Sequence, residues 1–159
     1  MILEIEKQRM PLTILRVQKE PFDSAAETAP LLADCGNIGA LVSFTGLCRD
    51  EGGTLAALEI EHYPGMAEEE IGRVITEAYA RWPLEAILVI HRCGLIHPGE
   101  PIVLVATASR HRSEAFAAAE FLMDYLKTRA PFWKKQHGDA AGDWVAAKAE
   151  DHEAASKWG

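Results

Sequence analysis

The chain has 159 residues, 48% of them hydrophobic, enough for one globular domain with a buried core. Lys and Arg total 16 against 24 Asp and Glu, and the formal charge of -8 argues against a nucleic-acid surface, which needs a broad basic face. No run approaches the ~20 apolar residues of a membrane span. The charged start MILEIEKQRMPL does not read as a signal peptide, so the expected location is the cytoplasm. Three cysteines, Cys35, Cys48 and Cys93, form no CxxC pair and read as free thiols of a reducing compartment.

Leu12 to Val17 alternates as a first strand. Asp23-Ser24 can cap a helix towards Leu31 and Leu32, with Pro30 shortening or kinking it before the Gly36-Asn37 stop. Gly39 to Gly46 is β-rich and reads as a central strand. Arg49 to Thr54 is a polar loop with paired glycines, and Ala57 to Tyr63 alternates as a half-exposed strand. The clearest helix follows Pro64-Gly65: Ile71, Val74, Ile75, Ala78, Tyr79 and Trp82 share one face, Glu68 to Glu70 sit in its first turns, and Pro83 stops it. Ala86 to Ile90 and Ile102 to Ala106 read as neighbouring strands. Ser113 is the expected cap of a second long helix through Leu126, apolar on more than one stripe and so buried on several sides. Beyond Gly138 the chain is alanine-rich and charged, with Trp144 and Trp158 as isolated anchors. Short turns between strands favour a mixed α and β fold with a largely antiparallel sheet.

Chemistry is concentrated in Met123 to Lys135, where Lys127, Arg129, Lys134 and Lys135 place four cations within nine positions of an acidic chain. Pro131 disfavours helical geometry at Ala130, so the helix should end near Arg129 and leave Lys127 in its last turn. Cations at a helix C-terminus often serve only the dipole. Here the adjacent Phe132 and Trp133 favour a pocket in which a lysine has a depressed pKa and works as an acid or base. Ser109-Arg110-His111-Arg112-Ser113, between a strand and a helix start, is a second candidate anion site or a set of surface charges. Arg112 and Lys127 stand fifteen positions apart, hence ~22 Å along one helix. A single small ligand therefore reaches both only if a two-fold dimer brings the two ends together. The histidines and cysteines show no metal-ligand spacing, and no phosphate-binding glycine fingerprint is present.

The segments SFTGLCRD, LEIEHYPGMAEEEI, RWPLEAILVIHRCGLIHPGE, ASRHRSEAF and FLMDYLKTRAPFWKK resemble, in order, the large (catalytic) subunit family of molybdopterin synthase. The resemblance spans about residues 38–136 and implies a single domain over 1–159. The implied fold is α+β of the α/β hammerhead type: a mainly antiparallel sheet, two long helices and an added small antiparallel sheet. The implied activity is sulfur transfer in molybdenum cofactor biosynthesis. Cyclic pyranopterin monophosphate would receive two sulfurs from the C-terminal glycine thiocarboxylate of a small ubiquitin-like subunit. The family pattern is a homodimer carrying two small subunits, a heterotetramer, with no cofactor or metal in the protein. Matched to the family motif, Lys127 and Lys134 are the catalytic pair, Lys127 for acid–base work and Lys134 for orientation. Arg49, His111 and Arg112 are the anion-binding positions, the last two coming from the opposite subunit, and Lys135 and Gln136 extend the wall. Leu47 stands where some relatives carry lysine, and Lys148 where an arginine is expected, keeping charge without bidentate geometry. A non-catalytic partner-binding homologue and an unrelated phosphate-ester enzyme are the other readings of the same cations.

Overall fold

The computed structural model describes residues 10–33, 36–138, 144–145 and 148–159. Its first sheet is built on two largely buried strands, β4 (Leu84–Arg92) and β6 (Pro101–Ser109), which pair antiparallel at its centre. β1 (Leu12–Gln18) lies parallel to β4 and β2 (Ala40–Leu47) antiparallel to β6, giving the order β1-β4-β6-β2. The strand predicted at 39–46 is therefore present, but it is an edge strand, and its Phe44 is exposed. Its composition signalled extended backbone; the number of neighbours is a long-range property that composition does not carry.

Both faces of this sheet are covered. Ile87, Val89, Val103 and Val105 meet Ile71, Val74, Ile75 and Ala78 of α2 (Met66–Arg81), together with Ala118, Phe121, Leu122 and Tyr125 of α3 (Arg112–Thr128). The alternate residues Ala86, Leu88, Ile90, Leu104, Ala106 and Ala108 face Leu31, with Phe22, Ile38 and Leu41 packed at the margin. Double burial explains why the runs Ala86 to Ile90 and Ile102 to Ala106 are continuously apolar rather than alternating.

Local chemistry sets the element ends. Asp23 caps α1 (Ser24–Thr28), its carboxylate accepting from the Ala25 and Ala26 N–H groups at 3.0 and 3.4 Å. Pro30 then converts the chain to a short 3-10 turn over Ala29–Leu32. α2 starts at Gly65, whose positive φ of 86° suits glycine and whose N–H donates to Glu68 at 2.9 Å. α3 begins earlier than its serine suggested: His111 occupies the cap position, and Ser113 lies inside the helix bonded to Glu114. Trp158 is no isolated anchor, since it packs edge-on against Trp82 and Phe121 and donates to Asp124.

The second sheet, β5-β3-β7-β8, is antiparallel throughout, formed by β3 (Leu55–His62), β5 (Gly94–Ile96), β7 (Phe132–Gly138) and β8 (Trp144–Val145). β7 was not anticipated, because Lys134-Lys135-Gln136-His137 carries no apolar alternation. A small core of Cys48, Ile60 and Ile96, with Phe132 and Ile102 alongside, joins this sheet to the first. α4 (Ala149–Ser156) packs on α3. The architecture is the α+β arrangement expected, with an added small antiparallel sheet. No helix among the described residues is long and apolar enough to cross a membrane.

Candidate active site

The eight residues from Lys127 to Lys134 hold the geometry of the site. α3 closes with the Arg129 and Ala130 N–H groups both donating to the Tyr125 carbonyl, at 2.8 and 3.2 Å. Pro131 prevents continuation, and the Phe132 N–H turns back to the Ala130 carbonyl at 2.8 Å. The chain then pairs as β7 with β3, Lys134 opposite Ile60 and Gln136 opposite Leu58. Strand alternation sends Lys134 and Gln136 to one face.

That face and the end of α3 enclose a cavity of about 500 Å³ lined by Lys127, Lys134, Gln136, Arg49 and Lys148, with an apolar wall that includes Leu47, Leu58 and Ile102. Four cations meet one acidic side chain, Glu51, in that lining. Arg49 follows β2 on a backbone clamped twice: the Cys48 N–H donates to the Glu100 carbonyl at 2.9 Å, and the Gly99 N–H donates to the Cys48 carbonyl at 2.7 Å. Buried Arg92 braces the same corner through an ion pair to Glu100 at 3.0 Å and bonds to the Lys19 carbonyl. The Arg49 guanidinium itself is exposed and pairs with Glu51 at 3.2 Å.

Burial distinguishes the two lysines. Lys127 is exposed, while Lys134 is partly buried, and desolvation, reinforced by the charge of Lys127, lowers its pKa to about 8; Asp151 of α4 opposes the shift. Its amine therefore exchanges a proton close to neutral pH.

The consecutive cations do not converge as a group. Lys135 alternates to the other face of β7, opposite Glu59, and Arg129 lines a separate small cavity with Arg73, Arg81 and Tyr125. His111 and Arg112 lie exposed at the far end of α3 and line no part of this cavity. Lys148, which the sequence left undecided, is in the lining and also heads α4. Cys48 forms part of the wall and is missed by sequence reasoning; burial raises its thiol pKa, so it stays protonated. Cys93 is likewise buried, and Cys35 lies outside the described residues.

Fold and cavity together define a small α+β domain that gathers cations, one of them a proton-exchanging lysine, around space for an anionic guest. A model of the MoaE protein family matches residues 17–129, and the chain belongs to that family. It is 60% identical over 146 residues to the molybdopterin synthase catalytic subunit of Mesorhizobium japonicum, covering 91% of this chain and 92% of that protein. The Escherichia coli protein of the same name is 46% identical over 151 residues, covering 94% and 100%. Among solved structures, the molybdopterin biosynthesis MoaE protein of Burkholderia ambifaria superposes with a TM-score of 0.79 at 44% identity, covering 92% of this chain and 98% of that one. A molybdopterin synthase structure from Staphylococcus aureus gives 0.73 at 29% identity, covering 82% and 95%.

Proposed function

We propose that this chain is the catalytic subunit of a cytoplasmic molybdopterin synthase, converting cyclic pyranopterin monophosphate to molybdopterin with two sulfurs from the C-terminal thiocarboxylate of a small ubiquitin-like subunit. The observation that carries the reading is the convergence of Lys127, Lys134, Arg49 and Lys148 on one cavity, next to Gln136. A phosphorylated substrate and a thiocarboxylate are both anions, and cations in a partly dry pocket offset their desolvation. The Helicobacter pylori relative of this fold is a complex of the two subunits of a molybdopterin-converting factor, which agrees with a small protein partner.

On the strength of its burial we give Lys134 the acid–base role, where the resemblance implied Lys127. Lys134, with its pKa near 8, takes or returns the proton during carbon–sulfur bond formation. Lys127, in the lining of the same cavity, stabilises the charge that moves between the thiocarboxylate and the substrate. Arg49 exchanges its pairing with Glu51 for the substrate's phosphate.

His111 and Arg112 complete the anion site from a second copy in a homodimer, which with two small subunits makes a heterotetramer. Purified chain, thiocarboxylated small subunit and the pyranopterin precursor are expected to yield the dithiolene product; a phosphate-ester enzyme would turn over without the small subunit, and a non-catalytic homologue would bind it without product. Mixed Arg112→Ala and Lys127→Ala subunits, each inactive alone, are expected to regain about a quarter of wild-type activity on random equal exchange, because about half of the dimers are mixed and each mixed dimer holds one intact pocket of two. No recovery despite proven subunit exchange rejects the shared site.

A further inference from the structure

His91, next to the last residue of β4, is 3% exposed, among the few buried polar side chains of the core. Its Nδ1 lies 2.8 Å from the Arg92 carbonyl oxygen. A carbonyl only accepts, so Nδ1 carries the proton. Burial, with smaller contributions from Lys134, His62 and Lys127, holds the ring's pKa at about 3, against the opposing Arg92 bond. His91 is thus neutral at every working pH and is no proton carrier. Its ring lies nearly flat on Phe132, centroids 3.9 Å apart and planes 11° apart.

Phe132 is the first residue of β7 and packs against both the main core and the small core beneath the second sheet. It is also the hinge of the site, since Lys127 lies five residues before it and Lys134 two residues after it. At ~3.3 Å per strand residue, the Lys134 backbone sits only ~7 Å beyond the stacked ring, on the same face. The imidazole is held by its own backbone bond, and its stacked face is the contact that reaches Phe132.

We propose that His91 is a positioning residue: by stacking on Phe132 it ties the start of β7 to β4 and so sets the place of the Lys134 amine relative to Lys127. The inference deepens the synthase reading and rests on it for its catalytic consequence. Displacement of a catalytic group by about 1 Å costs on the order of 100-fold in rate.

Three variants separate the two interactions. His91→Phe keeps a stacking ring without the tether, His91→Asn keeps a donor near Nδ1 without the stack, and His91→Ala keeps neither. The readout in the free protein is the titration of the Lys134 ε-methylene by NMR. The charged groups that act on Lys134, Lys127 of α3 and Asp151 of α4, are unchanged in all three. Expected midpoints are near 8 for the wild type and for His91→Phe, and about one unit higher for His91→Asn and His91→Ala as water reaches the amine. In the reconstituted reaction, kcat is expected to fall ~10–100-fold in the last two with KM little changed, and the pH profile to follow the NMR midpoint. A folded His91→Ala protein with the wild-type Lys134 midpoint overturns the proposal. Should His91→Ala not fold, equal midpoints in His91→Phe and His91→Asn overturn it in its place. Absence of product from the wild type would reject the synthase reading alone, because the NMR result decides the positioning role independently.

Discussion

Lys127→Ala is expected to lower turnover by about 100- to 1000-fold while the protein folds and assembles as before, the range seen when one charge-stabilising group is removed from an active site. The side chain is exposed at the last turn of α3, so its loss forfeits at most the small helix-dipole contribution of ~0.3–1 kcal/mol. The helix end is held by backbone bonds to Tyr125 and by the Pro131 stop, neither of which involves the lysine. A second signature accompanies the loss. The Lys127 charge helps depress the pKa of Lys134, so residual activity should depend on pH with a midpoint displaced upward from that of the wild type. Single-turnover product formation with thiocarboxylated small subunit, beside a thermal melt, checks both points. Unchanged turnover in a folded variant removes Lys127 from the mechanism.

Lys134 should show the opposite balance between activity and stability. Lys134→Met is expected to cost about 100- to 10,000-fold in turnover, the usual range for a general acid–base group. Lys134→Arg should not rescue it, because a guanidinium stays protonated above pH 12 and cannot exchange a proton near neutrality. With the neutral amine as the active form, wild-type kcat rises with pH through a midpoint near 8 and levels above about pH 9.

For stability the sign follows from linkage. The folded pKa, about 8, lies below the ordinary 10.5, so between those values the unfolded chain binds more protons and stability rises with pH. Below pH 8 the charged amine is a full burden on the fold. Lys134→Met lifts that burden and should raise the unfolding free energy at pH 7 by about 1–3 kcal/mol. The advantage should shrink as the pH approaches 10.5. Denaturant titrations at pH 7 and pH 10 measure it, and a variant less stable than the wild type at pH 7 would contradict the assigned desolvation.

Local readings held where local physics decides. Asp23 caps α1, Pro30 breaks it, the apolar stripe of Ile71 to Ala78 faces the core, and Pro131 ends α3 next to Lys127. The MDYLKTRAPFWK run also marked the family, since that needs only the order of residues. Partner choice was out of reach. Nothing in LTILRVQ tells that β1 pairs parallel with β4, nor in ALVSFTGL that β2 stands at an edge. Such contacts join residues tens of positions apart, and their free energy depends on what else is buried.

The same limit applied inside the site. As a sequence, Met1 to Gly159 determined where α1 is capped and broken, where α2 and α3 stop, the apolar strand runs and the place of the cations along the chain. Tertiary structure alone divided those cations, turning Lys134 inward and Lys135 away, carrying Arg129 to another cavity, and bringing Arg49 and Lys148 alongside Lys127. It also lowered the pKa of Lys134, because desolvation and charge–charge distance exist only once β7 has paired with β3 and closed over the end of α3.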